Sequence, residues 1–377
     1  MIYLDYAAST PVDKRVLKIF NEMTENYYAN PNSSHKLGLL SSSLIDKSTL
    51  NIARNLGVLE EEIIYTSGAS EANNLVIKGI CERYKNRGKH ILISALEHNS
   101  IVASATDMQE KGFDVEIIPV NKDGLVSIED LRKMLRDDTI LVSVCHADSE
   151  IGLVQPIKEI GNLLKEYPNC FFHTDASQAI GKVPLGYDNV DLVTIAPHKF
   201  YGLNGTGILI KKKGVSLKPQ ISGGKSTTVY RSGTPCLADI ASCDIALDIA
   251  LKEQEKRYKY IKKLSDKVKA KLQEYKDIHI NNTHNSIPHT INFSIKKVRA
   301  IDIQNALEKY DIYVSTKTSC CPVNTPSKLV YALTKDKSLS TSSIRLSISH
   351  LTTKEEIEEF LKAFDNIYKE YQDNGKI

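Results

Sequence analysis

What most narrows the fold is a repeated switch of hydrophobic period along the first two thirds of the chain. Short apolar runs stand at 62–67 (EIIYTS), 90–94 (HILIS), 113–118 (FDVEII), 140–144 (ILVSV), 171–175 (FFHTD), 193–196 (VTIA) and 207–210 (GILI). Helix-type segments lie between several of them: one opened by GASEANN at 68–74 and running to about Tyr84, one from about Asn99, and one over Ile157–Leu164. Strands separated by helices specify an α/β protein whose mostly parallel sheet is covered by helices on both faces. FDVEII alternates at its start, as a half-buried strand does. Sheets of this kind bind ligands beyond the carboxyl ends of their strands, so strand exits are where chemistry is to be sought.

Two strand exits carry reactive groups. FFHTDASQ delivers Asp175 and Gln178, and VTIAPHK delivers His198 and Lys199. A lysine and an acid from neighbouring strand exits are what pyridoxal 5'-phosphate (PLP) needs. The lysine forms a Schiff base, and the acid keeps the pyridine nitrogen protonated so that the ring can take up electrons. Taken alone, the pair reads equally well as a surface lysine and a helix-capping aspartate. TSGASE at 66–71 puts small residues at a strand-to-helix turn, where unpaired N–H groups and the helix dipole favour a phosphate. His98 follows the 90–94 strand to the same edge, where an imidazole can stack on a pyridine ring or move protons. Arg345, inside the strand pattern SIRLSI at 343–348, needs an anion: a substrate carboxylate or an internal acid. SGGKST at 222–227 imitates the end of a Walker-type loop, but its first glycine would fall at Pro219, so no nucleotide site is expected there.

Beyond about Ala238 the texture changes. A helical segment over roughly 238–275 ends in a lysine-rich, solvated face, and INFS at 291–294, SIRLSI and a terminal helix capped by TKEE at 353–356 follow it. A chain of 377 residues has room for a second, smaller α/β domain. The expected division is 13–255 for the large ligand-binding domain and 256–377, joined by 1–12, for the small C-terminal one. The stretch 314–328 (VSTKTSCCPVNTPSK) is polar, holds two prolines and reads as a loop. Its adjacent Cys320 and Cys321, flanked by lysines, are either reactive thiolates or incidental surface thiols. The cysteine total of seven is odd and contains no C-x-x-C pair, so neither a disulfide framework nor a metal site is expected. A net charge of +3 is too small to argue for nucleic acid or an anionic membrane. No apolar stretch approaches the ~20 residues of a membrane span. MIYLDY shows no signal peptide, and a cytoplasmic protein is expected.

Read together, YLDYAASTP (3–11), NPNSSH (30–35), TSGASEANN (66–74), Glu97-His98, DASQ (175–178), His198-Lys199, RSGT (231–234) and SIR (343–345) occur in one order along the whole chain. In this the chain resembles the NifS/IscS-type cysteine desulfurases, in the class V aminotransferase branch of the fold type I (aspartate-aminotransferase-like) PLP enzymes. The resemblance implies that Lys199 carries PLP and takes the α-proton, that Asp175 pairs with the pyridinium, and that His98 stacks on the ring. It implies that Gln178 reaches the phenolic oxygen and that Ala69, Ser70 and His198 hold the phosphate, with Thr234 from the other subunit of a homodimer. Arg345, with Asn30 beside it, would hold the carboxylate of L-cysteine. STKTSC at 315–320 aligns with the family's persulfide loop and makes Cys320 the nucleophile. The product would be alanine, with sulfur held for an acceptor protein that supplies iron–sulfur clusters or thio-cofactors.

The departures lie around the same site. Ser149 stands where an asparagine normally meets the ring oxygen, Ala196 replaces a phosphate-binding serine, and Pro197 has no N–H to offer. Lys225, Ser226 and Thr227 replace a glycine-glutamine-glutamate element, and Lys317 replaces a small residue in the cysteine loop. Beside the desulfurase, two readings therefore stand: a related C–S lyase or transferase acting on another amino acid, and a non-catalytic, partner-binding relative.

Overall fold

Alternation inside the apolar runs sorts their side chains into two cores. Ile91, Ile93, Leu141, Phe171, Leu192 and Leu209 belong to one, and Leu92, Val142, Phe172, Val193, Ile208 and Ile210 to the other. Neighbouring residues of a strand point to opposite faces, so one sheet separates the two cores and both of its faces are covered. The computed structural model describes residues 1–316 and 326–375.

The strands in chain order are β1 (Ile2–Tyr3), β2 (Ile63–Thr66), β3 (His90–Ser94), β4 (Asp114–Ile118), β5 (Thr139–Ser143), β6 (Phe171–Asp175), β7 (Leu192–Ile195), β8 (Gly207–Lys211), β9 (Ile278–Ile280), β10 (Thr290–Ile295), β11 (Ile312–Tyr313) and β12 (Ser343–Ser347). Strands β2 to β8 form a seven-stranded sheet of order β2-β8-β7-β6-β5-β3-β4. The pairings from β4 through β3, β5 and β6 to β7 are parallel. β8 runs antiparallel to both β7 and β2. Its direction has a local cause: the connection from β7, residues 196–206, holds one 3₁₀ turn at Pro197–Lys199 and no crossover helix to bring the chain back parallel.

The second sheet, β12-β10-β9, is antiparallel throughout. Helices cover it, but its strands are not wound as those of the large sheet are. The helix Leu237–Leu272 joins the two halves: Ala246, Leu247 and Ala250 pack in the large core, and Ile261, Leu264 and Val268 in the small one. The first residues side with the small core, where Ile2 and Leu4 are buried and β1 pairs in parallel with β11. The chain then crosses to the large sheet. Thr10 Oγ1 donates to His198 O at 2.9 Å and accepts from Tyr201 N at 2.8 Å. The segment 222–227 is a largely exposed loop with no strand leading into it and no helix until Leu237.

Candidate active site

A cavity of about 410 Å³ opens beyond the carboxyl ends of β6 and β7, lined by the 67–71 turn, His98, Ser149, Asp175, Gln178, Ala196, His198, Lys199 and Arg345. Lys199 closes the 3₁₀ turn that follows β7. Pro197 occupies the first position of that turn, where a missing N–H costs nothing. Lys199 Nζ donates to the carbonyls of Ala7 at 3.0 Å and Ala8 at 2.6 Å, so the N-terminal segment forms the wall opposite it.

Asp175 is the last residue of β6 and both of its oxygens are held. Oδ1 accepts from Ser177 N at 2.9 Å, and Oδ2 from Asn73 Nδ2 at 2.8 Å. Asn73 sits fully buried in the helix Ala69–Tyr84 and also donates to Ser100 Oγ at 2.9 Å. Ser100 in turn meets His98, its Oγ 2.8 Å from Nδ1 and its backbone N–H donating to Nδ1 at 3.2 Å. Because a backbone N–H can only donate, Nδ1 carries a lone pair. Burial, with Lys199 adding to it and Asp175 opposing, holds the His98 imidazole below its ordinary pKa. It is therefore a neutral ring at pH 7. His198 is pushed down to about 4 by burial and by the charges of Lys199 and Lys182, and is neutral as well.

The helix Ala69–Tyr84 begins at the cavity. Its first intrahelical bond runs from Ala72 N to Gly68 O, so the N–H groups of Ala69 and Ser70 have no acceptor within the helix. Gly68 adopts φ 152°, and Gly207 passes so close that a Cβ there would stand 2.6 Å from Gly68 Cα. The result is an anion cradle that only small residues can build. Glu71 braces it, taking Ser67 N on one oxygen at 2.7 Å and Arg231 Nε on the other at 3.0 Å.

Arg345 lies in the middle of β12 with 1% of its surface exposed. Nη2 pairs with Asp5 Oδ1 at 2.6 Å and Nη1 donates to Ser149 O at 3.0 Å. Nε has no hydrogen-bond partner among the described residues. The internal acid considered for this arginine is thus present, and the guanidinium still faces the cavity. Gln178 lines the wall, with its Nε2 donating to Ala7 O at 2.9 Å and its Oε1 accepting from Lys182 Nζ at 2.6 Å.

Not every expected residue converges. Asn30 is exposed, does not line the cavity, and spends its side-chain oxygen on Asn32 N at 2.9 Å within its own loop. Thr234 is exposed and lies outside the cavity of its own chain, as do Lys225, Ser226 and Thr227. Cys320, Cys321 and Lys317 lie outside the described residues. The stretches on either side of them are tied to the site. Ser315 exchanges backbone hydrogen bonds with Arg345 at 3.1 and 2.7 Å, and Ser327 Oγ donates to Glu150 Oε2 at 2.5 Å, beside Ser149. Asp5, Asn73, Glu71 and the Ala7 and Ala8 carbonyls were not singled out from the sequence. Two are backbone groups without a side-chain signature, and the others act through partners distant in the chain.

PLP fits this set of groups. A fixed carboxylate, a lysine, a neutral imidazole and a helix N-terminus match a pyridinium, a carbonyl, a ring face and a phosphate. Ser177 Oγ, a buried hydroxyl of the cavity wall without a partner among the described residues, adds an unused donor. The class-V aminotransferase family model matches residues 2–360. The cysteine desulfurase IscS of Dictyoglomus turgidum is 35% identical over 371 residues, covering 97% of this chain and 94% of that protein. The NifS/IcsS protein homolog of Lactobacillus delbrueckii subsp. bulgaricus is 37% identical, covering 98% of each. A solved NifS-like protein superposes with a TM-score of 0.92 at 33% identity, over 98% of this chain and 99% of its own. A family match over nearly the whole chain, on a site built from these residues, means that this chain belongs to the class-V aminotransferases, among the NifS/IscS-type cysteine desulfurases.

Proposed function

We propose that the chain is a PLP-dependent cysteine desulfurase that converts L-cysteine to L-alanine and holds the sulfur as a persulfide on Cys320. The observation that carries this reading is the convergence of Lys199, Asp175 and Arg345 on one cavity, with the ends of the cysteine segment anchored at its rim. When bound, PLP supplies an electron sink. Asp175, held by Asn73 and Ser177, pairs with the ring nitrogen. His98, a neutral ring, stacks without adding charge, and Gln178 donates to the phenolic oxygen. Ala69 and Ser70 N–H groups and His198 hold the phosphate, with Thr234 of the partner subunit. Arg345 takes the substrate carboxylate at Nε and Nη2, where Asp5 must yield. Lys199 Nζ, bound by the Ala7 and Ala8 carbonyls, stands ready to accept the α-proton. The Cys320 thiolate attacks the substrate sulfur: an S–S bond forms, the Cβ–S bond breaks, and its electron pair with a proton remains on the carbon skeleton as alanine.

The residue divisions 13–255 and 256–377 with 1–12 fit the two cores joined by the helix Leu237–Leu272. A homodimer accounts for the exposed Thr234 and for Tyr28, Leu37, Leu39 and Leu40, which are 82%, 55%, 58% and 44% exposed. A cytoplasmic, acceptor-coupled enzyme completes the proposal; no helix among the described residues is long and apolar enough to cross a membrane. Ala196 offers the cofactor no hydroxyl, Pro197 no backbone N–H, and Ser149 a hydroxyl in place of an amide, which is the one observation favouring a C–S lyase or transferase instead. The test is alanine and persulfide measured together after addition of L-cysteine to wild type, Cys320→Ala and Cys321→Ala. Alanine formation and persulfide lost only in Cys320→Ala support the proposal. A protein that binds PLP but makes no alanine refutes it.

A further inference from the structure

Gln178 and Lys182 sit four residues apart on the tight turns that follow β6. A primary amide can be turned over without changing its shape, so its neighbours decide which end faces the site. Here two neighbours agree. Ala7 O can only accept, and it lies 2.9 Å from Gln178 Nε2. Lys182 Nζ, 2.6 Å away on the other side, presents N–H to Oε1. With Oε1 held by the lysine and one N–H given to Ala7, the second N–H of Gln178 is left for the cavity that this side chain lines.

We propose that Lys182 is a positioning residue that locks the Gln178 amide with its N–H toward the phenolic oxygen of the cofactor. This rests on the PLP reading above. Without Lys182, Ala7 O alone would hold the amide, and Oε1 would be a buried acceptor lacking its donor, which favours turning or withdrawing the side chain. Lys182 also belongs to the electrostatics of the site. Burial first, then the charges of Lys199 and Arg345, brings its ammonium down to about 7. A direct charge effect on Lys199 is thus the competing route by which Lys182 could act.

The two routes separate in a double-mutant cycle read by spectroscopy rather than turnover. The visible band of the Lys199-bound cofactor is titrated with pH in wild type, Lys182→Met, Gln178→Leu and the double variant. A donor on the phenolic oxygen draws off part of its negative charge and weakens its hold on the proton of the neighbouring lysine nitrogen. Losing the donor therefore raises the midpoint, by about 1 pH unit for one hydrogen bond to a charged group. The expected result is a similar rise in each single variant and no further rise in the double, with Lys182→Arg, which keeps a donor, restoring the wild-type midpoint. Additive shifts, or a shift in Gln178→Leu with none in Lys182→Met, would overturn the proposal. Thermal melting of each variant identifies misfolding, and Lys182→Arg then carries the comparison: a midpoint as high as that of Gln178→Leu in a folded Lys182→Arg also overturns it. A wild-type protein that gives no band with PLP overturns the cofactor reading itself, and this inference with it.

Discussion

Replacing Asp5 with alanine isolates the ion pair that it makes with the buried Arg345. Arg345 is 1% exposed, and the hydrogen bonds of its guanidinium among the described residues go to Asp5 and to the carbonyl of Ser149. Removing one partner of a buried ion pair typically costs ~3–5 kcal/mol, because the remaining charge stays buried and uncompensated. Asp5 itself is 19% exposed, so solvent screens its side of the pair and the expectation falls to about 2–3 kcal/mol. Arg345→Met removes the charge and fills the space, and in its background Asp5→Ala should cost well under 1 kcal/mol, a coupling energy of about 2 kcal/mol. The chain has no tryptophan, so urea unfolding of the four proteins is best followed by far-UV circular dichroism, with midpoints compared at constant m. A coupling below about 0.5 kcal/mol would show that the pair does not stabilise the junction of N-terminal segment and small sheet, and the reasoning would fail.

Gly207→Ala places a Cβ 2.6 Å from both Gly68 Cα and Thr66 Oγ1, so the phosphate turn must shift. The expected outcome is at least tenfold weaker PLP binding with ~1–3 kcal/mol lost stability, checked by equilibrium dialysis and urea titration. Unchanged affinity would mean that the turn does not hold the phosphate. Glu97 accepts from Ser94 Oγ and Cys145 N at 2.6 and 2.7 Å through Oε1, whereas its buried Oε2 has no partner among the described residues. Burial pushes this carboxyl up to about 8 from an ordinary 4.5. Between those values the folded protein holds a proton that the unfolded chain has released, so stability falls as pH rises through that window. Glu97→Gln keeps the acceptor and cannot ionise, so its melting temperature should gain on wild type from pH 5 to pH 8; parallel curves would refute the shift.

The parallel part of the large sheet was legible because β3, β5 and β7 are mostly apolar runs whose length and β-branching suit strands buried on both faces, and β6 opens on two phenylalanines. The strand exits then located Asp175, His98 and Lys199. The direction of β8 was not legible, since GILI reads the same in either sense and only the missing crossover decides it. Nor was the partner of Arg345, because nothing local relates Asp5 to a residue 340 positions away. Asn30 belongs to the NPNSSH motif, yet in the single chain it is exposed and its side chain is occupied within its own loop. Asn73 illustrates the general difficulty: a polar residue on a helix looks like surface until tertiary packing lays that face over a carboxylate.

The N-terminal segment has a further consequence for how the protein is made. Ala7 N donates to Ser347 Oγ at 2.9 Å, and Asp5 bridges to the same residue, across 340 residues for the Ala7 bond. On a ribosome adding ~5–20 residues per second, the first strand waits on the order of half a minute for its partners to emerge. Until then the N-terminal segment is held only from the large-sheet side, through Thr10 and the bonds to Gln178 and Lys199, and its anchor in the small sheet is missing. The large sheet can form early, but the cavity closes only when the last strand arrives, so a truncated or stalled chain presents Lys199 without the enclosure that controls its chemistry.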